Sequence, residues 1–171
     1  MISLGSLFSR QAAPLLGLDI SSSSVKLVEL GRDKAGNFVL ERCAIEPLER
    51  GWINDGNVEK FDEVAEAMRR LVKKSGTRTR NVAMALPASA VITKKIILPG
   101  GLSDQELEIQ VETEANQYIP FSLDEVSLDF CVVGPSPTSQ GDVEVLIAAS
   151  RKEKVQDRQG LAEAAGLKPV I

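Results

Sequence analysis

The sequence predicts an α/β protein in two parts, a strand-rich first part that includes one helix and a smaller strand-helix-strand-strand part after it. Three observations predict this. Apolar strand-like runs fill residues 14–47, helix-period spacing begins at residue 57, and a second block with its own order of elements starts at residue 90. Strands are expected over residues 14–20, 24–30 and 38–47. In the second, Val25, Leu27 and Leu30 are set against Lys26 and Glu29. The link "GRDKAGN" is a turn by composition, so the second and third strands form a hairpin. Asn57 is read as the N-cap of a helix in which Val58, Phe61, Val64, Ala65, Met68 and Leu71 recur at helical spacing, and Gly76 ends it. "NVAMALP", residues 81–87, reads as a buried strand.

The second block opens with a strand over residues 90–99. "LSDQELEIQVETEANQYIP" then carries a capping box, Ser103 with Glu106, and a hydrophobic staple, Leu102 with Leu107. Leu107, Val111, Ala115 and Tyr118 share one face, while Glu106, Glu108, Glu112 and Glu114 make the rest acidic. The helix stops before Pro120, because the residue preceding a proline disfavours helical dihedrals. Strands over 125–134 and 142–150 follow, joined by the loop "PSPTSQG". A last helix, 152–165, is capped by Gly166, and "LKPVI" reads as the beginning of another strand. An end inside an element is expected of part of a longer protein.

Composition removes several function classes. The 171 residues carry a net charge of −4 with both signs interspersed, unlike the basic stripe that nucleic acid selects. With no histidine there is neither a Ser-His-Asp triad nor a histidine metal ligand. Cys43 and Cys131 are too few for a four-cysteine zinc site and sit in apolar runs, so they are expected to be reduced core thiols of a cytosolic protein. No apolar run reaches the ~18–20 residues that span a bilayer. "MISLGSLFSR" lacks the charge and length of a secretory signal. Residues 1–13 read as a flexible N-terminal tail, with Ile2, Leu4, Leu7 and Phe8 giving it a weakly amphipathic character.

The chemistry concentrates in "LLGLDISSSSVKLVEL", residues 15–30. An acid at a strand end, a turn of small residues and a following cation suit phosphate. Backbone N–H groups of a tight turn converge on phosphate oxygens, and serine hydroxyls add donors. A carboxylate repels phosphate directly, but it can hold hydrated Mg²⁺ that bridges to it. Lys26 supplies a point charge. On residue types alone, a polar hairpin turn with an incidental acid explains the stretch equally well. Neither a Walker-type G-x-x-x-x-G-K-[ST] nor G-x-G-x-x-G is present.

"GLDISSSSVK" resembles the first phosphate motif of the actin, Hsp70 and sugar-kinase superfamily. The inserted strand-helix-strand-strand block is similar to that of the division protein FtsA. "DISSSSVKLVEL", "SAVITKKI", "GLSDQELEIQVETEANQYIPF", "EVSLDF" and "VLIAASRKEKV" are similar to the PilM family, cytoplasmic actin-like proteins of type IV pilus assembly. The resemblance covers essentially the whole chain. It implies an actin-like (ribonuclease H-like) subdomain 1A over residues 14–86 and an inserted subdomain 1C over 87–150. Residues 151–171 would return to 1A and lead toward a second lobe carrying the adenosine pocket.

The same resemblance implies roles. Asp19 would hold Mg²⁺ through water, Ser21, Ser22, Ser23 and Ser24 would cradle ATP phosphates, and Lys26 would touch them. Ser21 stands where superfamily members commonly have glycine, which permits closer phosphate approach; that departure implies weaker nucleotide binding and weak or absent hydrolysis. No residue is nominated as a catalytic base. ATP and Mg²⁺ are thus expected with a full-length chain, and neither with this half alone. The implied partner is the short cytoplasmic N-terminal tail of PilN, an inner-membrane pilus protein, which would place the chain at the inner face of that membrane. The tail would lie in a groove between 1A and 1C, for which Leu86, Pro87, Tyr118, Ile119 and Phe121 are the candidates. Two other functions remain open here: a small-molecule kinase of the same superfamily, and an FtsA-like filament protein.

Overall fold

The computed structural model describes residues 14–171; the expected tail, residues 1–13, lies outside the described residues. The chain divides into two compact units. The first holds the described residues up to Trp52 together with Lys60–Ala85 and Leu161–Ile171; the second holds Ile53–Glu59 and Leu86–Gly160.

The first unit is a five-stranded sheet. Its strands are β1 (Leu16–Ile20), β2 (Ser24–Arg32), β3 (Phe38–Pro47), β6 (Asn81–Met84) and β10 (Lys168–Pro169), in the order β10-β6-β1-β2-β3. β1, β2 and β3 pair antiparallel, whereas β6 runs parallel to both β1 and β10. Alternation in β2 sends Val25, Leu27 and Glu29 to one face and Lys26 and Val28 to the other. Helix α1 (Phe61–Ser75) lies over β2 and β3 and buries Val64, Ala65, Ala67, Met68 and Leu71. Full burial of each larger apolar side chain contributes roughly 1.5–3 kcal/mol, enough to hold a helix whose first turn has no side-chain cap. Asp62 and Glu63 at its start, Lys73 and Lys74 at its end, and Gly76 in the left-handed region (φ 66°) complement the helix dipole and close the last turn.

Asn57 is not the cap of this helix, contrary to the sequence expectation. It belongs to β5 (Asn57–Val58), which pairs antiparallel with β4 (Ile53–Asn54). Asp55 and Gly56 between them have φ 47° and 80°, the two positive values that a type I′ hairpin turn requires. The turn claims Asn57, and α1 starts after Lys60 instead.

The second unit is a three-stranded antiparallel sheet, β7 (Ile92–Pro99), β8 (Val126–Pro135) and β9 (Asp142–Arg151), in the order β7-β9-β8. Helix α2 (Asp104–Tyr118) packs one face through Leu107, Val111 and Ala115. These join Ile96, Leu98, Ile119, Val126, Val145, Ile147 and Ala149 in one core. The capping box forms as its sequence requires: Ser103 Oγ accepts from Glu106 N–H, and Glu106 Oε2 accepts from Ser103 N–H at 2.9 Å. The Ser103 N–H, and after it the Ser103 hydroxyl, which donates to the same oxygen at 2.7 Å, hold the Glu106 carboxyl below its ordinary range. Leu102 packs against the core, and Pro120 follows the cap residue Ile119. Tyr118, expected on the buried face, is 43% exposed, with Lys94 Nζ 4.7 Å from its ring centre. Helix α3 (Lys152–Ala164) starts in the second unit and ends in the first, where Leu161 and Ala162 are buried.

Both cysteines are exposed, contrary to the sequence expectation. Cys43 pairs with Val28 on the sheet face away from α1, and Cys131 lies on β8 between Phe130 and Val132, facing away from α2. Both are on edge strands, where an apolar run does not signify burial on both faces. Among the described residues, no helix is long and apolar enough to cross a membrane.

Candidate functional site

In the first unit, the β1–β2 connection carries the acid, the serines and the lysine of the phosphate-type stretch. Asp19 and Lys26 are cross-strand partners on the exposed face, and Lys26 Nζ donates to Asp19 Oδ2 at 2.8 Å. As a solvent-exposed pair it contributes about 0–1 kcal/mol, so it opens at little cost. Ser21 closes the turn: its N–H and its Oγ both donate to the Ser24 carbonyl, at 3.0 and 2.9 Å. Ser24 Oγ lies 3.4 Å from Ser21 Oγ, and the Ser23 carbonyl accepts from Leu48 N–H at 2.9 Å, tying the turn to the chain after β3. Ser22 and Ser23 are exposed. The four serines therefore divide into two that hold the turn's shape and two whose hydroxyls face solvent. Two free hydroxyls, one cation and one carboxylate with exposed oxygens are the donor set that a phosphate with hydrated Mg²⁺ uses. The residues present fit that group.

The second unit contains a cavity of about 270 Å³. Its apolar wall comes from Ile92 at the start of β7, Ile119 and Phe121 just past α2, Val126 at the start of β8 and Ala149 near the end of β9. The β4–β5 turn, Asp55 to Asn57, forms another wall. That turn is held from two sides. The Gly56 carbonyl accepts from Arg158 Nη2 at 2.9 Å, and a Cβ at Gly56 would fall 2.6 Å from Pro87 Cγ, so only glycine fits beneath the proline ring. Buried Ser150 donates its Oγ to the Ala90 carbonyl at 2.7 Å, fixing the 3₁₀ turn Ala88–Ala90 that supplies Ser89 to the cavity rim. Arg151 and Lys154 complete the rim; the Arg151 guanidinium carbon lies 5.4 Å from the Phe121 ring centre.

Of the five residues nominated for peptide docking, Ile119 and Phe121 line this cavity. Pro87 acts behind the wall through Gly56, while Leu86 and Tyr118 are not among the lining residues. Sequence reasoning missed Asp55, Ser89, Arg151 and Lys154. "NDGN" is a hairpin signal that would have found the first of these, had Asn57 not been assigned to a helix cap. Nothing local in the sequence marks the other three.

A mixed sheet with α1 over one face, a phosphate-type turn between its first two strands and a strand-helix-strand-strand unit within the chain define half of an actin-like fold. The chain belongs to the PilM family of type IV pilus assembly proteins, whose family model matches residues 17–171. It is similar to a chain of a solved PilM–PilN type IV pilus biogenesis complex, at 35% identity and a TM-score of 0.81, covering 92% of this chain and 46% of that one. The chain thus spans about half the length of that relative. The cytoplasmic domain of EpsL, an inner-membrane component of the type II secretion system of Vibrio cholerae, shares the fold at 14% identity. Its TM-score is 0.55, with 92% of this chain and 55% of that one covered.

Proposed function

We propose that this chain docks the cytoplasmic N-terminal tail of a PilN-like inner-membrane protein, and that the tail seats in the cavity of the second unit. The reading places the chain at the inner face of the inner membrane, linking pilus machinery to a membrane-borne partner. The solved relative is a PilM–PilN complex. The observation that carries the proposal is the cavity itself: about 270 Å³, lined by both apolar and polar side chains, with Phe121 in its wall 39% exposed. Clefts of this kind and approximate size, with a few placed polar groups, are what side-chain anchors of an extended peptide enter.

Nucleotide is the second part of the proposal and concerns the full-length protein. Ser22, Ser23 and Lys26 would hold ATP phosphates there, with Asp19 taking Mg²⁺ through water. Bound Mg²⁺ supplies positive charge between the carboxylate and the phosphates. Lys26 would exchange Asp19 for a phosphate oxygen, and Ser21 would keep the turn closed while it does so. This chain's side chains bind and orient; the exposed turn contributes no base, and regulation of partner affinity is a sufficient role for the nucleotide.

The test is calorimetric titration of the 171-residue chain with a synthetic tail of the PilN-like partner, without nucleotide. Binding near the micromolar range, about −8 kcal/mol, is expected. Phe121→Ala should weaken it at least roughly tenfold, since interface anchors that fill pockets dominate affinity. Unchanged binding by Phe121→Ala would remove the tail from this cavity.

A further inference from the structure

The cavity's charges are not equivalent, and the difference bears on which tail it accepts. Arg151 and Lys154 share one carboxylate: Glu153 Oε1 lies 3.2 Å from Arg151 Nη1 and 3.5 Å from Lys154 Nζ. Arg151 also lies over the Phe121 ring. The two rim cations therefore already have anionic and aromatic partners. Asp55 is exposed at the tip of the β4–β5 turn and forms no ion pair among the described residues. Its backbone is held through the next residue, Gly56, whose carbonyl accepts from Arg158 and which packs under Pro87.

The surroundings carry the same sign. The second unit has fourteen Asp and Glu against six Lys and Arg, a net charge of −8, while the whole chain has −4. The acids along α2, Glu106, Glu108, Glu112 and Glu114, belong to this unit. A field of that sign concentrates cationic segments near the surface and speeds their encounter. Cytoplasmic segments close to a membrane-spanning helix carry an excess of Lys and Arg. The charge of the unit and the chemistry of a juxtamembrane tail are complementary.

We infer that the cavity is selective for a basic-apolar tail, one that inserts an aliphatic anchor against Ile119 and Phe121 while a neighbouring Lys or Arg pairs with Asp55. The inference rests on the docking reading above and adds to it the charge of the occupant and the residue that reads it. Acidic or uncharged tails of equal apolar content bind less well. Selectivity of this kind is a difference of affinities and needs no further contact.

The test uses the 171-residue chain and two peptides: the native tail of the PilN-like partner, and the same tail with each Lys and Arg changed to Gln. Asp55→Asn is the matched variant, since asparagine tolerates the left-handed backbone found at this position. At low salt, Asp55→Asn and the Gln peptide should each weaken binding roughly three- to tenfold, and together no more than either alone. Raising salt should weaken the native pair more than the Asn variant, in which the acids of α2 still attract the basic tail. Phe121→Ala should lose affinity yet retain the salt dependence. Equal binding of both peptides by wild type and Asp55→Asn, with Phe121→Ala still defective, would overturn the charge selectivity and leave docking intact. Absence of binding by either peptide to the folded chain would overturn both.

Discussion

The most instructive perturbation is Thr79→Val, because it isolates one bond to a buried charge. Glu29 lies on the covered face of the first unit's sheet with only 7% of its surface exposed. Thr79 Oγ1 donates to Glu29 Oε1 at 2.6 Å, and Arg42 Nε stands 3.2 Å from Oε2. The Glu29 carboxyl is held below its ordinary range chiefly by the Thr79 hydrogen bond, then by Thr77 and Arg42, against burial, which acts the other way. Valine keeps the shape of threonine and deletes the donor. A hydrogen bond to a charged group contributes about 1.5–3 kcal/mol, so Thr79→Val should destabilise the fold by about 2 kcal/mol at pH 7. In urea, with a slope of roughly 1–3 kcal/mol per molar, the midpoint should fall by about 1 M.

The pH dependence gives the prediction its second edge. Because the folded pKa of Glu29 is depressed, its contribution is present above the unfolded value and is lost as pH falls through the folded one. The variant lacks the main cause of that depression and has less to lose. The wild-type and Thr79→Val stability curves should therefore converge as the solution is acidified below about pH 4. A loss under about 0.5 kcal/mol at pH 7, or a gap of constant size down to acid pH, would refute the reasoning. Urea titration followed by circular dichroism at several pH values decides it.

Two further outcomes are expected. Ser103→Ala deletes the acceptor of the α2 capping box and should cost about 1 kcal/mol, read as a lower urea midpoint of the second unit. Glu106 should then titrate closer to its ordinary range, which carboxyl-detected NMR would show as a raised pKa. In the full-length protein, Asp19→Ala should lower ATP affinity in Mg²⁺ far more than in EDTA; equal affinity under both conditions would remove Asp19 from the metal role.

Legibility in the sequence followed the range of the interaction. The α2 start and stop were readable because capping box, staple and Pro120 act within a few residues of each other. The β2–β3 hairpin was readable from its turn composition, but the expected sides of Glu29 and Leu30 are reversed. The two-residue period carries Glu29 inward with Val25 and Leu27 and leaves Leu30 exposed. Asn57 was misplaced because an asparagine ahead of a helical run reads as an N-cap, whereas the Asp55–Gly56 type I′ turn before it draws Asn57 into the strand that follows. The cysteines were misjudged because whether an apolar strand is covered on one face or two depends on partners distant in sequence. The same limit applies to the cavity. Ile119 and Phe121 could be nominated locally, whereas Asp55, Ser89 and Lys154 come from separate elements that only the fold of the second unit brings together.

The order of strands in the first sheet also has a consequence for how the protein is made. β10, residues 168 and 169, closes the far edge by pairing with β6: Lys168 N–H donates to the Arg80 carbonyl at 2.7 Å, and Val170 N–H to the Val82 carbonyl at 3.0 Å. Every strand of the second unit precedes β10 in the chain. On a translating ribosome the second unit's sheet can thus be complete while the first still presents β6 with one bare edge of N–H and C=O groups. Such an edge is a template for pairing with another chain. A nascent chain halted before Lys168 is expected to aggregate through β6, and ribosome-stalled chains of graded length would show the tendency vanish once β10 has emerged.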